Sequence, residues 1–220
     1  MLISDSNKFI FIHNPKCAGT SIYKALLPHS NYLCRFSLGQ GRFYSQIGYY
    51  SRLILGEHKI LSNYRYHISA EELKTLLGAE KWNSYLSFGV VRNPYDRLIS
   101  NFKYIRKKTG HHNREHYIKY ENFKQFVDNL HNIPWKDFQH HYLASNGNIV
   151  VKKILRFESI NSDFKNLLAE MKWPDVPLQK LNISQRKADF LSYYDPDMIE
   201  IVNDVFDEDF RIFGYQKSQP

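Results

Sequence analysis

Cysteine is nearly absent from this chain of 220 residues, where Cys17 and Cys34 are the only two. Two thiols cannot build the disulfide framework of a small secreted domain, so the fold must rest on a hydrophobic core, which this length is ample to form. Long apolar runs are missing too. None approaches the roughly 18 residues that a membrane-spanning helix needs, and the opening stretch MLISDSNKFIFIH has no basic flank and no extended apolar segment. Neither export nor membrane insertion is expected, and a reducing, cytoplasmic setting is. Zinc-ligand spacings, heptads, internal repeats, low-complexity linkers and long Lys/Arg runs are also lacking. A single domain spanning 1–220 follows, with no metal and no specific nucleic-acid partner expected. Acidic residues are in the minority, with 22 Asp and Glu against 30 Lys and Arg, a formal charge of +8 that favours anionic partners.

One further absence is instructive. The nucleoside-triphosphate loop G-x-x-x-x-G-K-[ST] does not occur, yet Lys8 to Leu26, KFIFIHNPKCAGTSIYKAL, has the layout of an anion loop. Phe9 to Ile12 suit a buried strand, and Ile22, Ala25 and Leu26 recur at helical spacing after Thr20 and Ser21. Between them, Pro15, Lys16, Cys17, Ala18 and Gly19 bring backbone N–H groups and an ammonium to a helix start, where an anion is stabilised by unpaired donors and the macrodipole. Lys16 precedes the glycine instead of following one, which disfavours a kinase or GTPase.

The arrangement recurs in SFGVVRNPYDRLISNFKY, Ser87 to Tyr104. Arg92 ends a strand, Pro94 suits a first helical turn, Asn93 can cap, and Leu98, Ile99 and Phe102 form an apolar stripe. Arg92 offers a planar fork to a phosphate, with Ser100 about two turns on; the competing reading for Arg92 is an ion pair with Asp96. Elsewhere, Ser69 to Glu72 reads as a capping box opening a helix that ends near Gly78. Further helices are expected at 123–130, 135–144, 163–171 and 197–206, and a strand around 149–157. Strands alternating with helices imply an α/β fold, a mainly parallel sheet flanked by helices with ligands at the strands' carboxyl ends.

The segments His13 to Ser21 and Val91 to Ser100 resemble the 5′-phosphosulfate and 3′-phosphate segments of sulfotransferases that use 3′-phosphoadenosine 5′-phosphosulfate (PAPS), the carbohydrate enzymes of membrane and bacterial type above all. Weaker similarity continues through YHISAEELKTLLG, QHHYL, RFESINSDFKNLL, LNIS and the last stretch of the chain. The resemblance implies the sulfotransferase fold, related to that of P-loop kinases, and sulfuryl transfer from PAPS to a hydroxyl, with a carbohydrate acceptor and adenosine 3′,5′-bisphosphate as product. It assigns Lys16, Thr20 and Ser21 to the 5′ side, Arg92 and Ser100 to the 3′-phosphate, and Ser184 and Arg186 to a loop that closes over the donor.

A base for the acceptor hydroxyl is sought among the histidines. His67 is the first candidate, standing between the two motifs where the family carries its base, and His58 in GEHK is the second. His13 is expected to orient the loop. The family's Thr-Gly-Gly is here Cys17-Ala18-Gly19. Alanine serves there provided that its φ stays negative, and Cys17 is read as a small space-filler. Gln139, His140 and Tyr142 fall near the family's active site, and Glu158 reads as a support of the phosphate segment. The aromatic, irregular stretch 30–66 is the candidate acceptor-facing insertion. The family's eukaryotic members carry a membrane anchor, so a soluble bacterial version is expected ahead of a trimmed Golgi-type domain. Two other readings stay open: a non-catalytic nucleotide- or glycan-binding protein on the same fold, and a kinase-like enzyme.

Overall fold

The computed structural model describes residues 1–29, 32–34, 59–61, 67–134, 136–179 and 189–220. His58, Ser184, Arg186 and most of the stretch 30–66 lie outside them. Six strands form one sheet: β1 (Leu2–Ser4), β2 (Phe9–Ile12), β3 (Tyr32–Cys34), β4 (Lys59–Leu61), β5 (Leu86–Val91) and β8 (Lys153–Arg156), in the order β4-β3-β1-β2-β5-β8. The pairs β2/β5, β5/β8 and β3/β4 are parallel, whereas β1 runs antiparallel to both of its neighbours. Leu2 lies opposite both Phe11 and Leu33, which places β1 inside the sheet and makes a structural strand of a stretch that showed no strand signal beforehand.

Period-two alternation sorts the core. Leu2, Phe9, Phe11, Phe88 and Leu155 point to one face, packed by Ile22 and Leu26 of helix α1 (Gly19–Leu26) and by Phe164, Leu167 and Leu168. Ile3, Ile10, Ile12 and Val91 point to the other, covered by Leu73 of α2 (Ala70–Leu77), Trp82 of α3 (Ala79–Ser84), Leu143 and Phe213. A third cluster surrounds α4 (Pro94–Lys107), whose Tyr95, Leu98 and Phe102 meet aromatic residues of α5 (Arg114–Ile118) and α6 (Phe123–Asp128).

Local chemistry explains the helix starts. Ser69 caps α2 by accepting from the Glu72 amide, and Gly78 ends it with a φ of 81°. Asn93 caps α4 through the Tyr95 amide with Pro94 in the first turn. Asp195 caps α9 (Pro196–Val205) through the Met198 amide.

Two expectations need correction. The helix anticipated at 135–144 shrinks to α7 (His140–Leu143), because the amides of Gln139 and His140 both donate to the carboxylate of Asp209 at 2.9 Å, which fixes the helix start there. The strand anticipated at 149–157 divides, since Ile149 belongs to a small hairpin of β6 (Ala144–Ser145) and β7 (Asn148–Ile149), and β8 begins at Lys153. Helices α8 (Ile160–Glu170) and α10 (Asp207–Phe213) complete the set used below.

Candidate active site

Residues 13–18 join β2 to α1 at the carboxyl end of the central strands. Two non-glycine residues there, Lys16 at φ 65° and Ala18 at φ 56°, adopt the left-handed conformation. The condition set for Ala18 is therefore not met: its φ is positive, at a cost of about 1 kcal/mol that the surroundings must offset. The amides of Ser21 and Ile22 return to the Ala18 carbonyl, so the amides ahead of them face the loop, as at any helix start. Gly19 answers to a different constraint. A Cβ there would lie 2.1 Å from Nε2 and 2.2 Å from Cδ2 of the His13 ring.

The offset comes from a buried set of clamps. Arg97 donates through Nε to the Pro15 carbonyl at 3.0 Å, and its Nη2 bonds the Asp137 carboxylate at 2.9 Å and reaches Asn14 Oδ1 at 3.4 Å. Burial works against this guanidinium, but Asp137 more than compensates and holds it above the usual range. Arg92 donates through Nη1 to the Lys16 carbonyl and through Nε to Asp96, both at 2.8 Å, with its guanidinium 3.9 Å from the Phe157 ring centre. The ion pair weighed for Arg92 thus exists, and it helps to secure the loop.

Gln139, fully buried, accepts from the Arg92 amide and donates to the Arg92 carbonyl, each at 2.8 Å, while Asn14 Nδ2 and Cys17 Sγ donate to its Oε1 at 3.3 and 3.4 Å. Cys17 fills space as expected: burial pushes its thiol up to about 11, which keeps it protonated and unsuited to act as a nucleophile. Glu158 supports the second motif, accepting from the Asn93 amide at 2.6 Å and from the Tyr215 hydroxyl at 2.9 Å.

His67 meets the loop directly. Its Nδ1 stands 3.0 Å from both the His13 carbonyl and His13 Nδ1. A carbonyl can only accept, so the proton of neutral His67 resides on Nδ1 and the lone pair on Nε2. In the second contact the same Nδ1 proton faces His13 Nδ1, which can then only accept. Burial lowers the pKa of both rings, that of His13 well below its ordinary value with the neighbouring His67 as second cause, and the His13 carbonyl partly opposes the shift at His67. Both are neutral at pH 7.

Lys16 projects its ammonium over the face of Tyr104, 3.6 Å from the ring centre. Burial and, next, the charge of Arg92 bring its pKa down to about 7. Ser100 is buried on α4, one turn from Asp96 and one from Tyr104.

The structure therefore brings Pro15, Lys16, Cys17, Ala18, Gly19, Thr20 and Ser21 together with Arg92 and His67 around one loop. Asn14, Arg97, Asp137, Tyr104 and Asp209 belong to the same assembly; the first two and Tyr104 lie within the two quoted stretches without having been given a role, and Asp137 and Asp209 lie outside them. Arg97 and Asp96 stand inside the second motif, where an Arg four or five residues beyond a strand-end Arg could have raised the question of a second clamp. Among the described residues no group of three His, Cys, Asp or Glu side chains is arranged to hold a metal.

This architecture has relatives. The crystal structure of mouse sulfotransferase SULT7A1 complexed with PAP matches with a TM-score of 0.51 at 15% sequence identity, covering 95% of this chain and 86% of that one, a likeness of fold. No curated protein matches the sequence significantly. The family model described as "Sulfotransferase family" matches residues 1–216, a span that contains both anion motifs, the His13–His67 contact and the Gln139 clamp. On that match, over nearly its whole length, the chain belongs to the sulfotransferase family.

Proposed function

We propose that this sulfotransferase takes its sulfuryl group from PAPS and delivers it to a carbohydrate hydroxyl, with His67 as base and Lys16 as the charge at the leaving phosphate. The observation that carries the reading is the Nδ1 bond of His67 to the His13 carbonyl, which leaves a basic Nε2 on a neutral ring beside the anion loop. A pure binding protein has no need of that tautomer.

The residues fit the donor. The loop offers the amides of a helix start, the hydroxyl of exposed Thr20 and the Lys16 ammonium, and Arg92 has spent two of its five N–H donors on Asp96 and the Lys16 carbonyl, so three are left for a phosphate. PAPS supplies an activated sulfuryl group whose departure leaves adenosine 3′,5′-bisphosphate. That SULT7A1 was solved with PAP supports the assignment by analogy of fold.

In the proposed step His67 Nε2 takes the acceptor's hydroxyl proton as the oxygen bonds to sulfur. Lys16, with Thr20, Ser21 and the helix amides, neutralises the charge that collects on the departing phosphate oxygen. Arg92 and Ser100 hold the 3′-phosphate, and Ser184 and Arg186 complete the nucleotide site. Such reactions depend on positioning and electrostatics, which is what the clamps on residues 14–17 provide. A carbohydrate acceptor is favoured by the sequence likeness and by the +8 charge, which suits acidic glycans.

The test is transfer of labelled sulfate from PAPS to a panel of glycans, with Lys16→Ala and His67→Asn beside the parent. Both variants are expected to lose about 100-fold or more in kcat while His67→Asn still binds adenosine 3′,5′-bisphosphate. Full activity of His67→Asn would remove the base assignment, and nucleotide binding without transfer to any acceptor would favour the binding-protein reading.

A further inference from the structure

We infer that Tyr104 is a positioning residue for Lys16, its ring face holding the ammonium on the donor loop until the donor's phosphate becomes its partner. The inference rests on the role proposed above for Lys16.

The geometry is set from both ends. The Lys16 backbone is left-handed and its carbonyl is pinned by Arg92 Nη1 at 2.8 Å, so the side chain leaves the loop from a fixed start. Tyr104 is fixed as well: it stands on α4 one turn beyond Ser100, its hydroxyl accepts from Lys108 Nζ at 3.0 Å, and the edge of His111 packs on it at 6.0 Å and 85°. Between them, Lys16 Nζ sits 3.6 Å from the ring centre, within the range at which an aromatic face attracts a cation.

The electrostatic surroundings give this contact its purpose. The groups facing Lys16 are Arg92 from the turn between β5 and α4, Arg97 from α4, Lys108 beyond the same helix, His111, and the Cys17 thiol. Three of them are permanently or ordinarily cationic. Among the described residues no carboxylate stands within ion-pair distance of Lys16: Asp96 is engaged by Arg92 and Asp137 by Arg97. The negative face of the Tyr104 ring is thus the neighbour that favours the ammonium. A lysine crowded by cations and partly buried already loses its proton near pH 7, and without the ring it would lose it sooner. An uncharged amine could not neutralise a leaving phosphate.

The decisive measurement needs no donor. Trace acetylation with acetic anhydride, read on the Lys16 peptide by mass spectrometry across pH, reports the fraction of free amine in the parent, Tyr104→Phe and Tyr104→Leu. The parent and Tyr104→Phe should share a midpoint near 7, and Tyr104→Leu should fall below it by about 0.5 to 1 unit, a change of about three- to tenfold in the ratio of ammonium to free amine. In parallel, Tyr104→Leu should raise the donor KM by a similar factor at pH 7.5, with kcat at saturating donor nearly unchanged. Coincident midpoints in all three proteins would overturn the inference. So would a Tyr104→Phe midpoint displaced as far as that of Tyr104→Leu, which would transfer the effect to the hydroxyl and Lys108. Thermal melts accompany each variant, and Tyr104→Gln replaces Leu if that side chain unfolds the protein. Failure of the parent to bind adenosine 3′,5′-bisphosphate would sink the donor reading while the acetylation midpoints still decided the role of Tyr104.

Discussion

Ala18 carries a strained backbone where glycine would rest without strain, and the two adjacent small residues respond differently to change. Ala18→Gly should stabilise the protein by up to roughly 0.5 kcal/mol in urea or thermal unfolding, because relief of the left-handed penalty slightly exceeds the added entropy of the unfolded chain. Gly19→Ala should do the reverse. Its new methyl would collide with the His13 ring, so His13 must move and the contact with His67 is lost; stability should fall by about 2 kcal/mol and kcat by at least about tenfold. A gain of activity in Gly19→Ala would show that the paired rings do not serve the reaction. The pH profile follows from the same residues. His67 has a lowered pKa, so it stays neutral and able to accept a proton until the pH falls below 6.5, and the acid limb of kcat/KM should lie there. The alkaline limb belongs to Lys16: kcat/KM for the donor should decline above about pH 7, while the limb of kcat moves upward because a bound phosphate retains the proton. Stability has its own sign. The folded protein binds fewer protons at His13 and His67 than the unfolded chain does, so their effect is absent above about pH 6.5 and destabilises the fold as the pH drops below it.

At the scale of elements, α7 and α10 act through a single joint. Asp209 of α10, fully buried, sets the first amides of α7, and Gln139 just before α7 satisfies both backbone groups of Arg92. Gln139→Leu keeps much of the volume but strands those groups, so a loss of about 2–4 kcal/mol is expected in equilibrium unfolding, with weaker adenosine bisphosphate binding because Arg92 and Asn14 lose their register. Unchanged nucleotide affinity in a folded Gln139→Leu would separate the joint from the site. This joint also marks where sequence reading ends. Phe9 to Ile12 and Leu86 to Val91 are apolar runs of strand length, and Ser69, Asn93 and Asp195 are local caps, so those elements could be read from neighbours a few residues away. The start of α7 depends on a carboxylate 70 residues further along, and nothing in QHHYL reveals it. The short strand β1 is equally silent, since it is three residues long and takes its place from β2 and β3 on either side.

For the whole molecule, the two strand–turn–helix motifs were legible because each is complete within about twenty residues, and the family's order binds them together. The clamps were not, because Arg97, Asp137 and Tyr104 are ordinary residues of a helix and a loop until the fold sets them beside residues 14–17. The net charge of +8 acts at this scale too. Capture of an anionic donor should weaken as salt rises, with the donor KM increasing several-fold between about 50 and 300 mM NaCl while kcat holds nearly constant. An unchanged KM would mean that the local site, not the overall field, governs association. The Gln139 joint has a last consequence, for the order of events in synthesis. Its hydrogen bonds connect Asn14 and Cys17 to Gln139 across 125 and 122 positions, and Gln139 to Asp209 across 70 more. A nascent chain that has already made residues 13–18 cannot set that loop until Asp209 has left the ribosome, so stalled chains ending before Asp209 should show the loop open to protease.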